Sequence, residues 1–330
     1  MTRVAVLGAG SWGTTLADLL AREGNEVTLW AYEAEVVESI NTAHENSVFL
    51  AGRRLNDALR ASGDLATVLQ QATHVVSVTP SHVARLVWSD AAAHLEPGTI
   101  VTCATKGIET DTLLLMSDVA GAVLPPHRFV ALSGPSFAIE TFDGQPTAVA
   151  AASTDPEAAL AVQELFASRT FRVYSNQDVV GTEIAGALKN VIAIAAGILD
   201  GLGLGNNPRA ALITRGLAEI SRLGVALGAD PLTFAGLAGM GDLILTTCGA
   251  LSRNRSLGVA LARGVSLERY RAEHRTVAEG ANTAVAAVRL GEREGVELPI
   301  IEQVWQILYQ DKAPNRALEE LMERTLKPEQ

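Results

Sequence analysis

The chain has 330 residues, 48% of them hydrophobic, so it can bury substantial cores, and its length suggests about two domains. Its 26 basic against 37 acidic side chains give a net charge of −11. That balance argues against nucleic acid or an anionic membrane as the main partner, and any anionic substrate must be held by a local cluster of cations.

Residues 3–13 read Arg-Val-Ala-Val-Leu-Gly-Ala-Gly-Ser-Trp-Gly. The apolar run Val4–Leu7 predicts a buried strand, and Gly8, Gly10 and Gly13 follow it in G-x-G-x-x-G spacing. Leu16, Leu19 and Leu20 then give Thr14–Arg22 a helical period. Glycines in this pattern permit a tight turn, close approach of backbone to a pyrophosphate, and close helix–strand packing. The helix start offers unpaired N–H groups to the phosphates. A second strand at Glu26–Trp30 completes the context, and the segment predicts dinucleotide binding.

Further strands are predicted at His74–Val78, Thr99–Ala104, Phe129–Leu132, Thr147–Ala151 and Phe171–Tyr174. Helical patterns at Asp64–Gln71, Ser81–His94, Asp111–Val123 and Asp155–Ser168 fall between several of them. Such alternation predicts a mostly parallel sheet with helices on its faces and ligands at the carboxyl ends of its strands. Thr79-Pro-Ser-His82 and Ser133-Gly-Pro-Ser-Phe-Ala138 are turns at that edge, with His82 read as a structural helix-start residue. Beyond about residue 178 helical periods dominate: Ile184–Leu199, Ala210–Leu227, Asn254–Ala262, Val277–Arg289, Ile300–Tyr309 and Ala317–Arg324, with Gly201–Pro208 the most loop-like stretch. The expected organisation is an α/β domain over residues 1–178 and an all-α domain over residues 179–330.

Cys103 and Cys248 lie in apolar contexts without C-x-x-C or metal spacing, and no metal site is expected. No run reaches about 18 uninterrupted apolar residues, and the N-terminal apolar stretch runs straight into the glycine loop. The class expected is a cytoplasmic enzyme.

Ile184–Leu199 contains sixteen residues, of which only Lys189 and Asn190 are strongly polar. A helix apolar all round is a buried helix, and an ammonium inside one loses affinity for its proton. Bringing a lysine from a pKa of ~10.4 to about 7 or 8 takes roughly 3–4 kcal/mol, which burial and a second cation can supply. The alternative is a lysine whose head reaches solvent along its apolar stem. Lys106, in Ala-Thr-Lys-Gly after the strand Thr99–Ala104, is the candidate second cation or else an exposed turn residue. Asp242, within the apolar stretch Pro231–Leu245, is either a backbone cap or a partner of these lysines. Ser252-Arg-Asn-Arg-Ser256 opens a helix and reads either as an anion site or as a basic surface turn.

In their order along the chain these segments, with Leu-Lys-Asn-Val-Ile-Ala, Ala-Leu-Ile-Thr-Arg-Gly, Gly-Asp-Leu and Val-Ala-Glu-Gly, resemble the bacterial NAD(P)-dependent glycerol-3-phosphate dehydrogenases. The resemblance implies a Rossmann-type N-terminal domain, an all-helical C-terminal domain, NAD or NADP as cofactor and a homodimer. It implies hydride transfer between the nicotinamide and dihydroxyacetone phosphate, a small phosphorylated three-carbon substrate, giving sn-glycerol 3-phosphate for phospholipid synthesis. Lys189 matches the proton donor and acceptor, with Lys106 beside substrate and cofactor and Asp242 orienting the lysine pair. Gly8, Gly10, Ser11, Trp12, Gly13, Tyr32, Phe49, Ala138, Arg253, Val277 and Glu279 match cofactor-contacting positions. Gly134, Ser136, Asp242, Ser252, Arg253 and Asn254 match substrate-binding ones, together with Lys106 and Lys189. Related chains often carry Arg or His where this one has Tyr32, a cation that suits the 2′-phosphate of NADP. Glu33 next to it suits NAD if it faces the ribose, whereas Arg53 and Arg54 suit NADP if their loop covers the adenosine. Two other functions remain open to the sequence: a 3-hydroxy-acid dehydrogenase of similar layout, which needs a carboxylate site, and a non-catalytic NAD(P)-sensing module, which needs no buried lysine.

Overall fold

The computed structural model describes residues 2–274 and 278–326. Strands β1 (Arg3–Leu7), β2 (Glu26–Trp30), β3 (Arg60–Ser62), β4 (His74–Ser77), β5 (Ile100–Cys103), β6 (Arg128–Ser133), β7 (Thr147–Ala152) and β8 (Phe171–Asn176) form one sheet. Their order is β3-β2-β1-β4-β5-β6-β7-β8. All neighbours pair in parallel except β6 and β7, which run antiparallel with Leu132 opposite Ala151. The chain winds outward from β1 to β3, then returns to place β4 on the other side of β1. That reversal opens a crevice at the carboxyl ends of β1 and β4, where ligands bind in such sheets.

Helices α1 (Ser11–Arg22), α2 (Ala34–Ala43), α3 (Leu65–Leu69), α4 (Ser81–Ala92), α5 (Met116–Val123), α6 (Ala138–Phe142) and α7 (Pro156–Phe166) belong to the sheet-bearing half. The rest is helical: α8 (Val179–Gly201), α9 (Asn206–Ala226), α10 (Pro231–Ala235), one π turn (Leu237–Gly241), α11 (Asp242–Cys248), α12 (Arg253–Ala262), α13 (Leu267–Glu273), α14 (Glu279–Glu294), α15 (Pro299–Tyr309) and α16 (Pro314–Met322). This is the mostly parallel Rossmann-type sheet followed by an all-helical region that the sequence predicts.

α8 is the axis of the helical region. It is the one described helix long and apolar enough to cross a membrane, yet 83% of its most apolar window is buried inside the fold. Ile184, Leu188, Val191, Ile192 and Ile194 on it are fully covered and join residues of α9, α12, α14 and α15 in one core. Its hydropathy is therefore that of a core helix.

Several elements escaped the sequence reading. β3 has three residues, and α6, α10, α11 and α13 are too short to show a full apolar period. α2 is a further helix without a sequence expectation, with Val36 and Ile40 burying one of its faces. α5 starts at Met116 rather than Asp111, because the Leu113 N–H turns back to the Glu109 carbonyl and Leu113 adopts φ 61. The loop expected at 201–208 shrinks to 202–205, with α9 already under way at Asn206.

Two buried carboxylates close helix starts, satisfying N–H groups that have no partner within their helix. Glu183 on α8 accepts from the Ser117 N–H at 2.9 Å and from its hydroxyl at 2.5 Å, tying the two halves together. Glu219 on α9 accepts from the N–H of Ile300 at 2.8 Å and of Ile301 at 3.2 Å, at the start of α15. Burial pushes both carboxyls up to about 7, against the pull of those donors. The folded protein therefore keeps protons that the unfolded chain releases at ordinary carboxylate pH. The stability linked to Glu219 is full below about pH 4.5 and is lost as the pH rises through about 7. Glu219→Gln should accordingly gain on the wild type by on the order of 2–3 kcal/mol between pH 5 and pH 8, read from urea unfolding at both values. An unchanged difference would show that this carboxylate titrates normally.

Candidate active site

Lys189 projects from α8 with its side chain 7% exposed. Its Nζ donates to Asp242 Oδ1 and, at 2.9 Å, to the Thr246 hydroxyl. The other carboxylate oxygen of Asp242 accepts from Lys106 Nζ at 2.5 Å. Thr246 in turn donates to the main-chain carbonyl of Asp242 at 2.7 Å. Burial lowers the Lys189 ammonium to about 7; the Asp242 charge opposes that fall and the Lys106 charge adds to it. Burial alone would raise the Asp242 carboxyl, but the charges of Lys106 and Lys189 outweigh it and hold the group below the ordinary carboxylate range. Two ammoniums share one carboxylate, leaving one positive charge in excess. Burial and the second ammonium both act on Lys189 to weaken its hold on a proton.

Local folding places each of the three. Lys106 leaves the turn after β5, at the carboxyl edge of the sheet, and remains 20% exposed toward solvent. Gly186, one turn before Lys189, lets α8 lie against that edge: a Cβ there would come within 2.9 Å of the Ser133 hydroxyl and 3.7 Å of the Lys106 stem. Asp242 starts α11 directly after the π turn, a widened turn of the kind that re-aims side chains at functional sites. Of the alternatives open to Asp242, the structure shows the lysine partner.

The glycine loop has the form expected of a pyrophosphate cradle. A Cβ on Gly13 would overlap the carbonyl oxygen of Gly8, so only glycine allows α1 to sit this close to β1. Gly10 faces open space, with nothing within 4 Å of where its Cβ would be. Among the described residues no carbonyl accepts from the N–H groups of Ser11, Trp12 or Gly13, and Gly10 supplies no side-chain cap. These free donors at a helix start fit a dinucleotide's phosphates. Phe49 and Ala138 flank this turn through their carbonyls, which accept from Ser11 Oγ at 2.6 Å and from Thr15 Oγ1 at 3.2 Å. Tyr32 is 86% exposed beyond β2. Arg53 and Arg54 do not reach over that end as free cations, because Asp143 and Asp57 pair with them. Val277 lies outside the described residues.

The basic turn divides its labour. Ser252 caps α12 by accepting from the Arg255 N–H at 3.2 Å. Asn254 donates to Asn190 Oδ1 at 2.9 Å and accepts from the Gly280 N–H at 2.9 Å, joining α8, α12 and α14. Arg255 does not belong to an anion site: its guanidinium turns to Asp200, which also holds Arg209. Arg253 alone in this turn keeps a guanidinium free of hydrogen bonds among the described residues, with the Glu279 carboxylate as its neighbouring charge. Glu279, at the start of α14, accepts from the Ser81 hydroxyl at 2.7 Å and from its N–H at 3.3 Å, at the start of α4. His82 beside it is exposed. Gly134 and Ser136 form the turn after β6, where the Ser136 hydroxyl donates to the Gly134 carbonyl at 3.1 Å. Thr246 and Ser81 were missed as contributors. Thr246 stands four residues after Asp242, a helical spacing that carries meaning only once α11 is recognised.

Comparison with known proteins gives a consistent result. The profile "NAD-dependent glycerol-3-phosphate dehydrogenase N-terminus" matches residues 3–159, and that of the C-terminus matches residues 178–319. A glycerol-3-phosphate dehydrogenase (NAD(P)+) of Geobacter sulfurreducens is 57% identical over 330 residues, covering 99% of this chain and 98% of its own. The crystal structure of glycerol-3-phosphate dehydrogenase from Coxiella burnetii superposes with a TM-score of 0.94 at 38% identity, covering 97% of this chain and 98% of that one.

The hydrogen bond from Lys189 to Thr246 favours the charged lysine. Thr246→Val should lower the Lys189 titration midpoint by about one pH unit, since a hydrogen bond to a charged group contributes about 1.5 kcal/mol or more. Lysine-selective NMR of the Nζ resonance reads this directly, and an unmoved midpoint would remove Thr246 from the site.

Proposed function

The chain belongs to the NAD-dependent glycerol-3-phosphate dehydrogenase family, and on that footing we propose that Lys189 is its proton donor and acceptor. It is an NAD(P)-dependent oxidoreductase, so the 3-hydroxy-acid and pure sensing alternatives give way. When bound, the coenzyme supplies or takes up a hydride at the central carbon of the three-carbon phosphate.

What supports this reading most is the Lys189–Asp242–Lys106 arrangement at the carboxyl edge of the sheet. A lysine whose pKa is brought to about 7 populates both protonation states near neutrality, as a general acid–base needs. In the reducing direction its ammonium gives a proton to the oxygen on C2; in the oxidising direction the free amine receives it. Lys106, partly open to solvent, stabilises negative charge growing on that oxygen. Asp242 holds both amines in place and keeps the remaining charge small enough for proton release. Arg253 receives the substrate phosphate, with Ser252, Asn254 and the start of α12 beside it. The backbone donors of Ser11, Trp12 and Gly13 receive the coenzyme pyrophosphate. Reduction of dihydroxyacetone phosphate to sn-glycerol 3-phosphate, for phospholipid synthesis by a cytoplasmic homodimer, is the physiological reading that follows from family membership.

Lys189→Ala should cut kcat by about a thousandfold, the scale of general acid–base catalysis, while coenzyme affinity changes little. Near-normal kcat in an absorbance assay with dihydroxyacetone phosphate would overturn the assignment. Arg253→Ala should raise KM for that substrate by roughly 10- to 100-fold with a smaller effect on kcat, as expected for losing a charge-assisted hydrogen bond. An unaltered KM would place the phosphate elsewhere.

A further inference from the structure

We infer that the adenosine end of the cleft selects NAD over NADP, with the Glu33 carboxylate as the selecting group; this rests on the coenzyme cradle described above. In a dinucleotide-binding sheet the adenosine ribose lies against the segment that leaves the second strand, and a carboxylate there receives its hydroxyls. Here that segment is clamped. The Ala31 N–H donates to the Ser62 carbonyl at 3.1 Å, and the Trp30 indole donates to the Gly63 carbonyl at 3.1 Å. Glu33 follows at the N-cap of α2 with φ −83 and ψ 119, and its side chain caps none of the helix N–H groups. Half-buried and without a hydrogen bond or ion pair among the described residues, its carboxylate is available to accept from both ribose hydroxyls.

The nearby cations are committed elsewhere. Arg53 makes two parallel bonds of 2.9 Å to the Asp143 carboxylate, beyond α6. Arg54 reaches Asp57 at 2.8 Å, and Arg60 donates to the carbonyls of Asp57 and Leu59. The loop carrying the first two is pinned along α1, where Ser11 holds the Phe49 carbonyl and the Asp18 carboxylate accepts from the Asn56 N–H at 2.6 Å. Tyr32 brings no charge. A 2′-phosphate, itself bearing close to two negative charges, would meet Glu33 without a free guanidinium to offset it.

The test is calorimetric binding of ADP-ribose and 2′-phospho-ADP-ribose to the purified protein, alongside kcat/KM with NADH and NADPH. ADP-ribose should bind at least about tenfold more tightly, the scale of one like-charge contact at a protein surface, and NADH should be favoured by a similar factor. Glu33→Gln should shrink the preference by about fivefold or more, and Glu33→Arg should reverse it. Equal or tighter binding of the phosphorylated fragment by the wild type overturns the inference, as does a preference unchanged in both variants. No turnover with either coenzyme would overturn the proposed chemistry instead, and the fragment affinities would still decide the preference.

Discussion

The site depends on one buried carboxylate shared by two ammoniums. Asp242 is 1% exposed, and a lone ionised carboxyl at that depth would protonate. Its two oxygens are instead taken by Lys189 and Lys106, one from each half of the molecule. Removing the carboxylate would leave two like charges facing one another in a nearly dry place, the costly outcome for a broken buried pair. Keeping it leaves a single excess positive charge, while burial brings the Lys189 ammonium down to about 7.

The fold supplies that balance from opposite sides. The sheet contributes Lys106, from the turn after β5, and the glycine cradle after β1. The helical region contributes Lys189 from its most buried helix and Asp242 from behind a π turn. Contacts on either flank, Glu183 with Ser117 and Glu279 with Ser81, bind the two halves so that these groups meet. Each of those carboxylates sits at the start of a helix in the other half, where free N–H groups and the helix dipole favour an acceptor.

Charge is arranged locally against the overall field. The chain carries −11, yet its cleft holds Lys106, Lys189 and Arg253 around Asp242 and Glu279. Other arginines near the cleft, Arg53 and Arg255, are neutralised by Asp143 and Asp200. Positive charge is thereby concentrated locally in the cleft, against the overall field.

The sequence by itself determined the glycine loop, the alternation of strand and helix, the change to helical periods near residue 178, and the buried character of the helix bearing Lys189. All of these are local patterns of period and residue type, written within a few turns of chain. Tertiary structure alone decided that Asp242 faces the lysines, because its two partners lie 136 and 53 residues away. It likewise decided that Arg253 stays free while Arg255 turns to Asp200, and that Arg53 is captured by Asp143. The reason is physical: periodicity says which residues are buried, but the partner of a charge is set by long-range packing that no local pattern encodes.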